Sequence, residues 1–327
     1  MKPGTEVFLY LDNHTQITAL EDYYQLLLSE CVDRGGSLHL TSSLNNSGHT
    51  VLIDEFTNPN FCQQIENQFQ IDDERLTIVA TEILRNGVFN SAQTQQKSNE
   101  ELMAEGVGVR RVQEKDHYRR QTYWEARTQG FLKAVVYARW VVCAAIEVFD
   151  SLKEVIPDQK LIFWPFRYSE TYATRPITDD PSSLDNKTFD FCFSGVTTSH
   201  RDETLGTLSA LGASIGRLGV HTPNFFRHNI FNQALFLLAP KHFPDTDQLS
   251  STRVHWALCN KYPMIVERCN NESHFDEYLI FFENAEHLVE LWRDKENTIN
   301  EYFDKLNHFR EDTPKLMKAM DQYFDSL

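Results

Sequence analysis

FDFCFSGVTTSHRDETLGTLSALG, from Phe189 to Gly212, is the stretch whose reading decides the fold. FDFCFSG is a strand that ends at a glycine, Gly195. The hydroxyls of Thr197, Thr198 and Ser199 follow, and Arg201 opens a helix that reaches about Leu211. Gly212 then supplies the left-handed residue that stops it. Strand, cap, helix and stop make one unit of an open α/β sheet, and the sequence downstream keeps the pattern. ASIGRLG, ALFLLAP (Ala234 to Pro240), PMIVER and LIFFE are further strands. Between the last three lie a loop, HFPDTDQLS, and a helix, TRVHWALCN, with Ser250, Ser251 and Thr252 as N-cap candidates. NAEHLVELWRD begins a helical region that runs to Leu327.

Upstream the same alternation is present in weaker form. EVFLYLD (Glu6 to Asp12) is a strand, followed by a helix from about Ile17 to Val32 that closes at Gly35 and Gly36. SLHLTSS and HTVLIDEF are strands, and a short helix lies around Phe61 to Phe69. RLTIVATE (Arg75 to Glu82) runs Ile78, Val79 and Ala80 without alternation, as a strand covered on both faces does. Residues 85 to 115 turn polar and read as a surface loop or helical insertion; a helix from about Tyr118 to Tyr137 follows. WVVCAAI, the helix FDSLKEV and the strand KLIFWPF complete this half. Arg167 to Lys187 is polar and carries Pro176 and Pro181, so nothing in it feeds a core. The expected division is a first Rossmann-like domain over 1–170, a linker over 171–187 and a second domain over 188–310. A terminal helix, 311–327, is expected to pack back on the first domain.

The length of 327 residues suits two domains, and 41% hydrophobic against 24% charged residues is a globular balance. A formal net charge of -16 repels phosphate backbones and anionic lipid, so nucleic acid and membrane surfaces are excluded as bulk partners. A nucleotide is not excluded, because a local cluster of arginines outweighs distant, screened charge. The six cysteines form no CxxC pair and read as reduced thiols, not as a disulfide framework or zinc site. With no membrane-length apolar run and no signal-like N-terminus, a cytoplasmic protein is expected.

Three loops leave strand ends in the second half, where open α/β sheets bind ligands. The first, Gly195 to Arg201, offers a helix N-terminus and a guanidinium to a diphosphate; the plain alternative is an ordinary capped loop. The second, Asp247 to His255, sets Arg253 in the first turn of a helix, where the macrodipole disfavours a cation. An anion would explain it, and so would a surface salt bridge with Asp245 or Asp247. The third begins at Glu267, a carboxylate at a strand end that could accept ribose hydroxyls, or simply a solvated acid. In the first half the candidate bases at strand ends are Glu82, Asp12 with His14, and Asp54 with Glu55. Asp245-Thr246-Asp247 sits in the wrong context for a DxD metal motif, and no metal or cofactor is expected.

The order of these second-half segments, through "SSTRVHWALCNKYPMIVERC" and "YLIFFENAEHLVELW", resembles the donor-binding domain of GT-B glycosyltransferases. The bacterial group described as CgeB-like, or glycosyltransferase family 1-like, is the most similar. The residues that match its pattern are Gly195, Arg201, Arg253, Glu267 and the pair Phe281-Phe282, within a span from Phe189 to Asp294. Upstream, "TIVATEIL", "ARWVVCAAIEVFDSLKEV" and "LIFWPFRYS" are similar to that group's acceptor half. Asn260 replaces a glycine of the group, and Asp247 and His255 stand where retaining members carry two glutamates eight positions apart.

The resemblance implies two Rossmann-like domains facing across a cleft and a metal-independent transfer of sugar from a nucleotide-sugar donor to an unknown glycan or small-molecule acceptor. Arg201 and Arg253 would hold the diphosphate, Ser251 and Thr252 would add backbone donors, and Glu267 would take the ribose. Glu82, His14 or Asp12 would supply the base. The missing glutamates leave open a non-catalytic nucleotide-sugar-binding or scaffold protein, and a sugar-nucleotide epimerase is a third reading.

Overall fold

The computed structural model describes residues 2–11, 14–44, 47–53, 56–89, 121–173, 187–195, 198–219, 222, 224–241, 244, 249–271 and 273–327; of 14–21, 224 and 225 it describes the backbone alone. Asp12, Asp54, Glu55, the insertion over 90–120, the linker segment 174–186, Thr197 and Asp245 to Asp247 lie outside the described residues, as does the His14 side chain.

The first half runs β1 (Glu6–Tyr10), α1 (His14–Asp33), β2 (Ser37–Thr41), β3 (His49–Leu52), α2 (Pro59–Gln68) and β4 (Asp73–Ala80). A small hairpin, β5 (Leu84–Arg85) and β6 (Val88–Phe89), precedes α3 (Gln121–Val135), β7 (Ala138–Cys143), α4 (Ile146–Leu152) and β8 (Leu161–Phe163). The second half is β9 (Phe189–Ser194), α5 (Ser199–Ala210), β10 (Ile215–Leu218), α6 (Asn224–Phe231) and β11 (Ala234–Ala239). It continues with α7 (Ser251–Cys259), β12 (Met264–Glu267), β13 (Ile280–Phe282) and α8 (Ala285–Arg293). Helices α9 (Lys295–Glu311), α10 (Thr313–Ala319) and α11 (Asp321–Ser326) end the chain.

Two parallel sheets result, in the orders β2-β1-β3-β4-β7-β8 and β10-β9-β11-β12-β13. Each reverses direction beside its first strand. The chain leaves β1 for β2 and crosses back to β3, and it leaves β9 for β10 and crosses back to β11. Such reversals open a crevice at the carboxyl ends of the strands. All six residues of β11 are buried, because the strand lies between β9 and β12 with both faces covered. Each fully buried Leu or Phe there contributes roughly 1.5–3 kcal/mol. In the first half Gly130 of α3 is obligatory: a Cβ there would lie 1.9 Å from the Phe56 carbonyl oxygen.

The two halves share one apolar core. Val7, Leu9 and Leu26 belong to the same cluster as Phe191, Leu237 and Ile265, while Leu52, Phe61, Ile78 and Phe131 form a second core within the first half. KLIFWPF gives only a three-residue strand, because from Trp164 the chain leaves the sheet to bridge the halves. Trp164, Phe166 and Tyr172 are buried in the shared core. Arg167 pairs with Glu30 and Asp33 of α1, at 2.9 and 2.7 Å, and its carbonyl accepts from His255 Nε2 of α7 at 2.7 Å. Burial lowers the His255 pKa to about 4, so this histidine is neutral and structural. At the chain end, Tyr323 and Phe324 are buried; Arg34 lies over the Phe324 ring and Trp140 donates to Ser326. Helix α11 therefore packs against the first half.

Candidate functional site

The three second-half loops singled out from the sequence leave β9, β11 and β12, which are neighbours in the sheet. Gly195 ends β9 with φ +145°, a conformation that L side chains rarely adopt. A Cβ on it would lie 3.0 Å from Nη2 of Arg253. The missing side chain is what lets that guanidinium lie against the backbone at the end of β9. Arg253 sits in the first turn of α7, whose N-cap Ser250 makes no side-chain cap hydrogen bond. Ser250 thus differs from the expected cap: its carbonyl accepts from Val254, and its hydroxyl leaves the first-turn N–H groups alone. Ser251 is buried and Thr252 half-buried beside it. Among the described residues the Arg253 guanidinium makes no hydrogen bond and no salt bridge; the charges that act on it are those of Asp22 and Arg227. Burial lowers its pKa, Asp22 opposes that, and Arg227 adds to it.

Arg201 is buried at the start of α5. Its Nε donates to the carbonyls of Pro240 and Lys241, both at 3.1 Å, and its guanidinium covers the Phe193 ring. It ties the loop after β9 to the loop after β11. Burial, with the Arg253 charge adding and Glu267 opposing, brings its pKa down to about 9. Thr198 is the N-cap of α5 and accepts from the Arg201 amide. Glu267, at the end of β12, accepts from His200 Nε2 at 2.9 Å and from the Lys241 amide at 2.8 Å. These contacts use part of what a carboxylate can accept.

Two residues of this site were not singled out in the sequence. Asp22 of α1 and Arg227 of α6 line one narrow cavity with Arg253, Ser194, Cys192 and Trp256. The cavity has room for about one water centre, ≈ 20 Å³. Arg227 Nη1 lies 3.7 Å from Asp22 Oδ1, and its Nε donates to the Thr222 carbonyl. Burial raises the Asp22 pKa while Arg227 and Arg253 pull it back.

On the first-half side, Glu82 follows β4 and pairs with Arg127 of α3 at 2.9 Å. Tyr23 of α1 lies near both this pair and Asp22, and its hydroxyl is pushed up by burial and by the two carboxylates. Glu147 of α4 is buried, and neither of its carboxylate oxygens has a hydrogen-bond partner among the described residues. Burial, aided by Asp276 and Asp150 and offset in part by its own amide, raises its pKa to about 7. Among the described residues one group has metal-ligand reach, Glu277, His308 and Asp312. It is largely exposed, and Asp312 already accepts from the Tyr278 hydroxyl at 2.6 Å.

No family model matches the chain, and no curated protein matches its sequence. Solved structures do match along its length. The T4 phage glucosyltransferase BGT in complex with UDP-glucose is 11% identical, with a TM-score of 0.53 over 97% of this chain and 98% of that one. Sucrose-phosphate synthase from Thermosynechococcus elongatus is 10% identical, with a TM-score of 0.51 over 98% of each chain. The fold is GT-B. An α-glucosyltransferase in complex with UDP and a 13-mer DNA matches it over 99% of each chain, at 8% identity and a TM-score of 0.51. In a GT-B frame the crevice at β9, β11 and β12 belongs to the second Rossmann-like half. No helix among the described residues is long and apolar enough to cross a membrane.

Proposed function

We propose that this chain is a glycosyltransferase that moves a sugar from a nucleotide-sugar donor to an acceptor hydroxyl. The observation that carries the reading is Arg253: a half-buried cation in the first turn of a helix, against a glycine-ended strand, with no partner among the described residues. Such a group suits an anion, since helix dipole and guanidinium then act together. The neighbours solved with UDP-glucose and with UDP support a nucleoside diphosphate as that anion.

The acceptor oxygen attacks the anomeric carbon as the bond from that carbon to the diphosphate oxygen breaks. The acceptor's proton goes to a first-half base, and the nucleoside diphosphate leaves with the bonding electron pair. Arg253 and Arg227 stabilise the charge that develops on the leaving oxygens, so positive charge is supplied without a metal. Arg201 holds the two loops at their working separation and adds charge from behind. The Thr252 amide completes the diphosphate seat, the Ser251 amide being already donated to the Leu249 carbonyl at 2.9 Å, and Gly195 keeps the seat open. Glu267 retains acceptor capacity for the ribose hydroxyls. Glu82, fixed by Arg127, is the assigned base, with Asp12 and His14 as the other candidates.

One neighbour was solved with DNA, but a net charge of -16 argues against a polyanionic acceptor here, and we assign a glycan or small molecule. The six cysteines, read as reduced thiols, support a reducing, cytoplasmic setting. A non-catalytic nucleotide-sugar-binding protein is the second reading, favoured by the commitment of Glu82 to Arg127.

Calorimetric titration with a panel of nucleoside diphosphates tests the proposal on the wild type and Arg253→Ala. A charge-assisted contact contributes roughly 1.5–3 kcal/mol, so the variant should bind about tenfold more weakly or worse. Nucleoside binding should change little. Equal diphosphate affinity in the two proteins would sink the assignment.

A further inference from the structure

Among the described residues, Asp22 is the sole first-half residue lining the cavity that holds Arg227 and Arg253; the other described lining residues come from the second half. It projects from the middle of α1 into a cavity lined by β9 and β11 of the second sheet. Its Oδ1 is shut off from solvent and makes no hydrogen bond among the described residues, and the side chain as a whole is 20% exposed. What faces that oxygen is charge: Arg227 of α6 at 3.7 Å, and Arg253 of α7. Tyr23, its neighbour on α1, feels the charges of both Asp22 and the Glu82–Arg127 pair. The backbone of Asp22 is held in place independently, since the Tyr172 hydroxyl donates to its carbonyl at 3.3 Å.

A half-buried carboxylate facing two guanidiniums, with no hydrogen bond to its side chain among the described residues, is a poor structural ion pair. Its desolvation is only partly offset at 3.7 Å, and truncating it would leave two half-buried cations facing each other. It is also badly placed as a base. A base must approach the acceptor hydroxyl, whereas this carboxylate points at the groups that would hold the leaving diphosphate, whose oxygens would repel it. Its position suits a different task.

We propose that Asp22 is a built-in competitor for the diphosphate seat: its carboxylate and the donor's diphosphate contend for the same two arginines, and the donor binds by displacing it. The inference rests on the donor-site reading above and adds a regulation of that site. Because Asp22 belongs to one half and the arginines to the other, displacement cuts an ionic tie across the cleft. Donor arrival is thereby coupled to freedom of α1 relative to α6 and α7. The competition lowers the apparent affinity of every anion that must displace the carboxylate by the same factor, phosphate and diphosphate alike.

The test is calorimetric titration of the full chain with inorganic pyrophosphate and with inorganic phosphate, using wild type, Asp22→Asn, Asp22→Ala and Arg253→Ala. Asparagine keeps the shape and removes the charge, and melting curves establish that each variant is folded. Alanine serves as the second probe should the amide find a new partner. The expected result is pyrophosphate binding at least about tenfold tighter in both Asp22 variants than in wild type, with phosphate gaining by a similar factor. Unchanged or weaker pyrophosphate binding in the Asp22 variants, with Arg253→Ala still weakened, overturns the competition and leaves the donor site standing. If Arg253→Ala binds pyrophosphate as the wild type does, the donor site falls and the competition with it. Loss of turnover in Asp22→Asn at unchanged affinity would also overturn the proposal, by making Asp22 a catalytic group.

Discussion

Replacing Glu147 with glutamine should make this protein more stable at pH 8 and change little at pH 5. Glu147 is 7% exposed, and neither carboxylate oxygen has a hydrogen-bond partner among the described residues. Burial is the main cause of its raised pKa, with the Asp276 and Asp150 charges adding, and the result is about 7 against an ordinary 4.5. A group whose folded-state pKa is raised favours folding below the unfolded value, and that contribution is lost as pH rises through the folded one. Between pH 4.5 and 7 the wild type is therefore progressively penalised, because the unfolded chain ionises Glu147 and the folded chain resists. A shift of that size corresponds to about 3 kcal/mol, fully developed above pH 7. Glutamine does not titrate, so the difference between the two proteins should follow this curve, nearly flat above pH 7 and mostly gone by pH 5. Urea unfolding at half-unit steps from pH 5 to 8 measures it as a shift in midpoint at constant slope. Any constant offset from the new amide drops out of the comparison across pH. A difference that does not vary with pH would refute the reasoning, because it would mean that the Glu147 carboxylate is as well solvated folded as unfolded.

Gly195→Ala should weaken pyrophosphate binding by about tenfold, because its Cβ would press on Arg253 Nη2 at 3.0 Å. The φ of +145° adds roughly 1–3 kcal/mol of strain, read as a lower melting temperature; retained affinity would show that Arg253 does not depend on that glycine. Glu82→Gln should lower product formation by a factor of about a hundred or more while donor affinity stays within about twofold of wild type, measured by turnover and titration together. Unchanged turnover would remove Glu82 as the base and pass the assignment to His14 or Asp12.

What the sequence made legible follows from where a residue's role is decided. Strands such as β4 and β11 are apolar without alternation because both faces are covered, and that pattern is present in the letters themselves. Arg253 stood out because a cation in a first helical turn opposes the local dipole, a conflict visible from position alone. Arg227 did not, since the Phe- and Asn-rich segment around it carries no clear period or stop signal, and α6 went unassigned. Asp22 was invisible for the opposite reason. One of four acids in a long helix, directly after Glu21, looks like part of a solvated face, and only the docking of α1 against the other half covers it. Ser250 carried the letters of an N-cap, yet its hydroxyl does not bond the helix. A cap is a geometric event, and composition gives only the opportunity.

Net charge and local charge point in opposite directions here, and the difference bears on what the protein can bind. Acidic residues outnumber basic ones by 47 to 31 across the chain, yet Arg201, Arg227, Arg253 and Lys241 gather at one edge of one sheet. At physiological salt the field of a charge decays over about 8 Å, so a ligand in that crevice responds to these four cations and to Asp22 and Glu267 beside them. The distant acids are screened. A diphosphate is short enough to lie wholly inside this region, where low solvent access also strengthens each contact. A polyanion is not, since its charges would extend beyond the screened zone and meet the acidic surface. The same distribution explains why a carboxylate inside the crevice matters more than dozens outside it. One Asp22 beside two arginines alters the local balance by a larger fraction than the whole surface does, and its removal should be felt by a diphosphate while changing net charge from -16 to only -15.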